Sequence, residues 1–113
     1  MRGDANAIRR LKARAPLFAA LGDETRLAVL ARLCEAGPRS ITQLAAGSKV
    51  TRQAITKHLE VLHRAGLVRD VRRGRERVWQ FEANRLNDAR ECLDQISNQW
   101  NTALERLRSL VES

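Results

Sequence analysis

The chain predicts a mainly α fold with one small β-hairpin. Three observations carry this. Apolar residues recur at helical spacing through most of its length. Two short β-leaning runs flank a single arginine-rich glycine turn. A sustained seven-residue apolar repeat occupies the last quarter. The 113 residues suit one domain with one modest core, and no Gly/Ser-rich linker or internal repeat divides them.

From the N-terminus, Ala5 to Ala15 reads as a first helix with Ile8, Leu11 and Ala15 on one face. Pro16 cannot continue it but suits the first turn of a short second helix to Leu21, which Gly22 ends. Asp23 is a good N-cap for a helix to about Ala36, with Glu24 in its first turn. Its Leu27, Leu30, Ala31 and Cys34 stand at i, i+3, i+4 and i+7 and predict the buried stripe, which makes Cys34 an inert core thiol. Gly37-Pro38 stops that helix. Ser40 caps a short one over Ile41 to Ala46, and Gly47-Ser48 turns the chain. Thr51 caps a helix to Ala65, and Gly66 closes it in the position that favours a left-handed residue.

The runs 67–72 and 76–81, around Arg73-Gly74-Arg75, predict a hairpin with Trp79 and Phe81 facing inward and arginines gathered at the tip. The closing segment, from about Asn84, predicts one long helix. In it Leu86, Leu93, Trp100 and Leu107 recur every seven residues, interleaved with Ala89, Ile96, Ala103 and Leu110. Such a helix spans roughly 40 Å, more than a domain of this size can cover, so its apolar seam implies a partner surface, most simply a second copy.

Charge narrows the function. Lys and Arg total 21 against 13 Asp and Glu, a net +8. Between Arg39 and Arg77 stand ten basic residues and three acidic ones (Glu60, Asp70, Glu76), so this stretch holds a net +7. A clustered basic face attracts polyanions and neutralises phosphates with release of counterions. The same stretch reads helix, tight turn, helix, basic hairpin, which is a winged helix-turn-helix. The second helix of that motif lies in the major groove of DNA. Its first turns offer Thr51, Arg52, Gln53, Thr56, Lys57 and His58, preceded by Lys49. Arg can donate a bidentate pair to guanine, Gln can pair with adenine, and Thr can meet a base edge or a thymine methyl. Lys57 and His58 suit phosphate, which positions without specifying. Arg72, Arg73, Arg75 and Arg77 form a wing suited to the DNA backbone or a narrow minor groove.

Several classes drop out. No nucleophile–base pair, paired carboxylates or phosphate-cradling glycine loop occurs, so no catalytic residue is assigned and the chain is expected not to be an enzyme. No cofactor is implied. No run of about 18 apolar residues exists and the N-terminus lacks a signal peptide's apolar stretch, so a cytoplasmic protein without membrane contact is expected. The two cysteines, Cys34 and Cys92, form no disulfide framework and no metal-ligand spacing.

The segment Ala20-Leu21-Gly22-Asp23-Glu24-Thr25-Arg26-Leu27 resembles the opening of the ArsR-like bacterial regulators. Val50 to Leu59 resembles their recognition helix, and Leu62 to Val68 with Arg73-Gly74-Arg75 resembles the helix end and wing beyond it. The likeness spans about residues 15–82. It implies a homodimer, usually repressing its own operon. On that pattern 1–113 is one domain: dimerisation helices in 1–21, the helix-turn-helix in 40–65, the wing in 67–81 and a second dimerisation helix in 84–112. The expected dimer residues are Ile8, Leu11, Leu86, Leu93, Ile96, Trp100, Leu107 and Leu110. Metal-sensing members carry a cysteine box where this chain has Ser40 and Thr42, and Asp/His pairs in the last helix where this chain has Asn87-Asp88-Ala89-Arg90-Glu91, so no metal is expected at either place. The effector is left open. Two alternatives stand beside the operator-binding reading: a thiol-based redox or sulfur sensor using Cys34 and Cys92, and a winged-helix module that binds DNA or protein without specificity.

Overall fold

The structure is a computed structural model that describes the backbone of residues 2–112 and the side chains of 5–112. Helices α1 (Arg2–Ala13), α2 (Ala15–Leu21), α3 (Glu24–Ala36), α4 (Ile41–Ala45) and α5 (Arg52–Arg64) are followed by strands β1 (Val68–Arg73) and β2 (Glu76–Phe81) and by α6 (Ala83–Glu112). The mainly α architecture with one hairpin is therefore as expected. The break between α1 and α2 falls at Arg14, because Pro16 has no N–H to donate to the preceding turn.

Local chemistry sets the helix ends. The Asp23 carboxylate accepts from the Arg26 backbone N–H at 2.9 Å and starts α3. Gly66, at φ +77°, ends α5 in the left-handed region. A Cβ there would also stand 2.9 Å from the Arg85 side chain.

The hairpin pairs antiparallel, Val68 opposite Phe81 through Arg73 opposite Glu76. Its loop is two residues, not three, and the positive φ falls on the first of them, Gly74 at +63°. That is the pattern of a type II′ turn, whose twist matches the strands. Arg39 adds a short bridge to Trp79, donating to its carbonyl at 3.0 Å and accepting from its N–H at 2.8 Å. Trp79 is buried as expected, Phe81 only half-buried, and Val78 is buried on the opposite face beside its partner Val71. Inward and outward do not simply alternate along β2.

The core gathers Leu17 and Ala20 of α2, Leu30 and Leu33 of α3, Leu44 of α4, Ile55, Leu59 and Leu62 of α5, and Leu67 and Trp79 of the hairpin. Burying each leucine contributes roughly 1.5–3 kcal/mol, so this cluster fixes how α5 sits on α3.

Two expectations are corrected. On α3 the inward stripe is Val29, Leu30 and Leu33. Leu27 is 51% exposed, and Ala31 and Cys34 face outward. Burial of Val29, Leu30 and Leu33 against the core sets that face, and Arg26 beside it donates from its Nε to the Ala20 carbonyl of α2 at 2.8 Å. On α6, Leu86 packs against the chain's own core and Ala89 and Cys92 are buried. Only from Leu93 onward does the apolar seam stand clear. The 30-residue α6, about 45 Å long, makes the molecule elongated, 66 by 28 by 20 Å.

Candidate nucleic-acid interface

The interface is built on a five-residue helix that could not persist alone. A reciprocal cap holds α4 at its start: the Gln43 N–H donates to Ser40 Oγ at 3.2 Å, and the Ser40 N–H donates to Gln43 Oε1 at 2.9 Å. Ser40 is thus a buried structural cap. At the other end the Arg32 guanidinium donates to the carbonyls of Leu44 at 2.8 Å and Gln43 at 3.3 Å. A cation at a helix C-terminus also suits the helix dipole. The chain then turns through Gly47 at φ +71°, and Ser48 Oγ accepts from the Val50 N–H at 3.0 Å.

Thr51 starts α5, its hydroxyl oxygen accepting from the Ala54 N–H at 3.1 Å. With Ile55, Leu59 and Leu62 inward, the opposite face carries Arg52, Gln53 and Lys57 exposed. Ile41, Arg52, Gln53, Thr56, Lys57 and Glu60 line an open groove of about 750 Å³ between α4 and α5. Lys49 is exposed just ahead of it. Among the described residues, Lys49, Arg52, Gln53 and Lys57 have no side-chain partner, so their donors point to solvent.

The remaining expected contact residues differ. His58 is turned away from that face: its Nδ1 lies 3.8 Å from Asp23 Oδ2, at the start of α3. Arg77 is committed within the wing. Its Nε donates to Asp70 Oδ2 at 2.9 Å and its guanidinium lies 4.8 Å over the Trp79 ring. Arg72, Arg73 and Arg75 form no ion pair among the described residues and are the wing's available cations. Arg32 is the residue missed from sequence that closes the end of α4. It sits on α3, with no local pattern to mark a side chain that reaches eleven or twelve residues onward.

The cysteines do not approach an activated pair. Both thiols are free, Cys34 on an exposed position and Cys92 buried. Although Cys34 as a residue is exposed, partial burial pushes its thiol up from the ordinary value, away from the reactive thiolate. Cys92 lines a cavity of about 250 Å³ with Arg10, Arg14, Asp88, Glu91 and Gln95. Among the described residues no three metal-ligating side chains gather, and no helix is long and apolar enough to cross a membrane.

Comparison with known proteins agrees with this geometry. A helix-turn-helix domain family model matches residues 21–71. The HTH-type transcriptional regulator Rv2034 of Mycobacterium tuberculosis is 38% identical over 94 residues, covering 83% of this chain and 84% of that protein. The arsenical resistance operon repressor of Escherichia coli is 26% identical over 97 residues, covering 86% and 80%. Among solved structures, an ArsR-like transcriptional regulator from Rhodococcus sp. RHA1 superposes with a TM-score of 0.76 at 36% identity, over 93% of this chain and 95% of that one. With its capped α4, tight turn, α5 and hairpin in the order these relatives share, the chain is a transcriptional regulator and not an enzyme, and it belongs to the ArsR-like family of winged helix-turn-helix transcriptional regulators.

Proposed function

We propose that this regulator is a homodimeric repressor that binds a near-palindromic operator, with no metal at the family's usual sites. The observation that carries the dimer is the bare half of α6. Leu93, Ile96, Trp100, Leu107 and Leu110 are all exposed in the single chain, Trp100 at 63%, and Ile8 of α1 is exposed as well. A monomer seldom leaves that much contiguous apolar surface in water. Pairing two copies of α6 would cover it. Two α5 helices would then enter successive major grooves about 34 Å apart. Arg52 and Gln53 would read bases, Lys49 and Lys57 would contact phosphates with the N-terminus of α5, and Arg72, Arg73 and Arg75 would grip the backbone beside them. Repression is carried over from the Escherichia coli relative, an operon repressor. The metal-free reading rests on Ser40 as a cap and Thr42 beside it.

Selection from a random duplex pool, with sedimentation of the bound species, tests this. A two-fold-symmetric site bound by two chains is expected. A monomer on DNA, or no preferred sequence at moderate salt, would overturn it. The thiol-sensing alternative has less support, given the raised Cys34 thiol and the buried Cys92.

A further inference from the structure

We infer that Thr56 reads a thymine in the operator through its methyl group rather than through its hydroxyl. The inference rests on α5 being the helix that enters the major groove, as in the operator-binding reading.

The observation is a single hydrogen bond. Thr56 Oγ1 donates to the Arg52 carbonyl, one turn back along the same helix, at 2.8 Å. A threonine hydroxyl has one proton, and this bond uses it. Nothing remains to donate to guanine O6 or N7, adenine N7 or thymine O4. What Thr56 presents to the groove it helps line is a methyl group and the unused lone pair of a hydroxyl turned onto its own backbone.

The neighbours sharpen the assignment. Arg52 and Gln53 line the same groove, are exposed and long, and have unspent donors. They can span the distance to a base edge and form bidentate pairs. Thr56 is short and half-buried, close to the helix axis. It meets only a group that projects toward the protein. The C5-methyl of thymine is the base substituent that projects so into the major groove, and it is apolar like its partner.

The competing chemistry is the hydroxyl oxygen accepting from the amino group of cytosine or adenine. The two readings make opposite demands on two variants. Thr56→Val keeps the methyl and removes the oxygen. Thr56→Ser keeps the oxygen and removes the methyl.

The experiment uses the full chain and the duplex recovered from random selection. Each thymine is replaced in turn by deoxyuridine, which keeps base pairing and O4 but lacks the methyl. For the natural chain, one thymine in each half-site is expected to weaken binding about fourfold when demethylated, the equivalent of one buried methyl. Thr56→Val keeps that sensitivity. Thr56→Ser binds the thymine duplex about fourfold more weakly and no longer distinguishes it from the uracil one. Affinity for an unrelated duplex, unchanged in both variants, confirms that they fold. The inference is overturned if no thymine is methyl-sensitive, if the sensitivity survives in Thr56→Ser, or if Thr56→Val loses it. A selection that returns no preferred sequence removes the operator reading first, and this inference with it. A clear operator without a methyl effect leaves the operator reading standing and removes only this one.

Discussion

The Arg32 guanidinium donates to the main-chain oxygen of Leu44 at 2.8 Å, so a side chain of α3 closes the C-terminus of α4. Asp23, at the other end of α3, faces His58 of α5. The same helix thus ties α4 through Arg32 and meets α5 near His58, in addition to the shared core. α4 is short, so its angle to α5 rests on the shared core and on this tie from α3.

Arg32→Ala is expected to cost about 1 kcal/mol of stability and to reduce operator preference more than affinity for unrelated duplex. Arg32→Lys should recover part of both, since one ammonium can reach one of the two carbonyls. Denaturant midpoints and the ratio of the two affinities check it. An unchanged ratio in Arg32→Ala would show that the tie does not align α4 with α5.

The wing predicts a salt dependence. Among the described residues, Arg72, Arg73 and Arg75 have no ion pair to break before meeting phosphate. Replacing all three with alanine should reduce the slope of log affinity against log salt by about 2 to 3, near 0.9 for each phosphate no longer neutralised. Arg77→Ala should instead lower the melting temperature, because it leaves Asp70 unpaired and uncovers Trp79. Equal slopes for the triple variant and the natural chain would place the wing away from the DNA.

Asp23 predicts an acid limb in stability. The Arg26 backbone N–H, more than any other group, holds its carboxyl below the ordinary value of 3.8. The folded protein therefore binds that proton less readily than the unfolded chain does. The stabilisation is whole above that ordinary value and is lost as the pH falls through the lower folded one. Asp23→Asn keeps a cap acceptor but cannot titrate. It should melt close to the natural chain at neutral pH and lose less on acidification. Parallel losses in the two proteins would show that the cap does not carry the acid dependence.

The two tryptophans offer a test of pairing. Trp79 is 3% exposed and Trp100 is 63% exposed in the single chain. In a Trp79→Phe background, Trp100 emission should be blue-shifted at high protein concentration and move red on dilution as α6 is uncovered. Emission at the fully solvated position at every concentration would mean that the seam is not buried between copies.

The sequence alone determined the order of the elements, the caps at Asp23, Ser40 and Thr51, the closing glycine of α5 and the donors along its first turns. These are properties of a few neighbouring residues, since a cap or a left-handed turn is satisfied within about four positions of chain. Periodicity also located the long last helix and its seam. Tertiary structure decided the rotation of each helix and the use of each charge. It turned Leu27, Ala31 and Cys34 outward, drew Leu86 inward, and committed His58 and Arg77 to partners of their own. The reason is that a repeat sets the spacing of an apolar stripe but not which way it faces. That is set by packing across the fold, as in the burial of Val29, Leu30 and Leu33 against α2 and α5, and by ties such as Arg32 on Leu44, twelve residues onward.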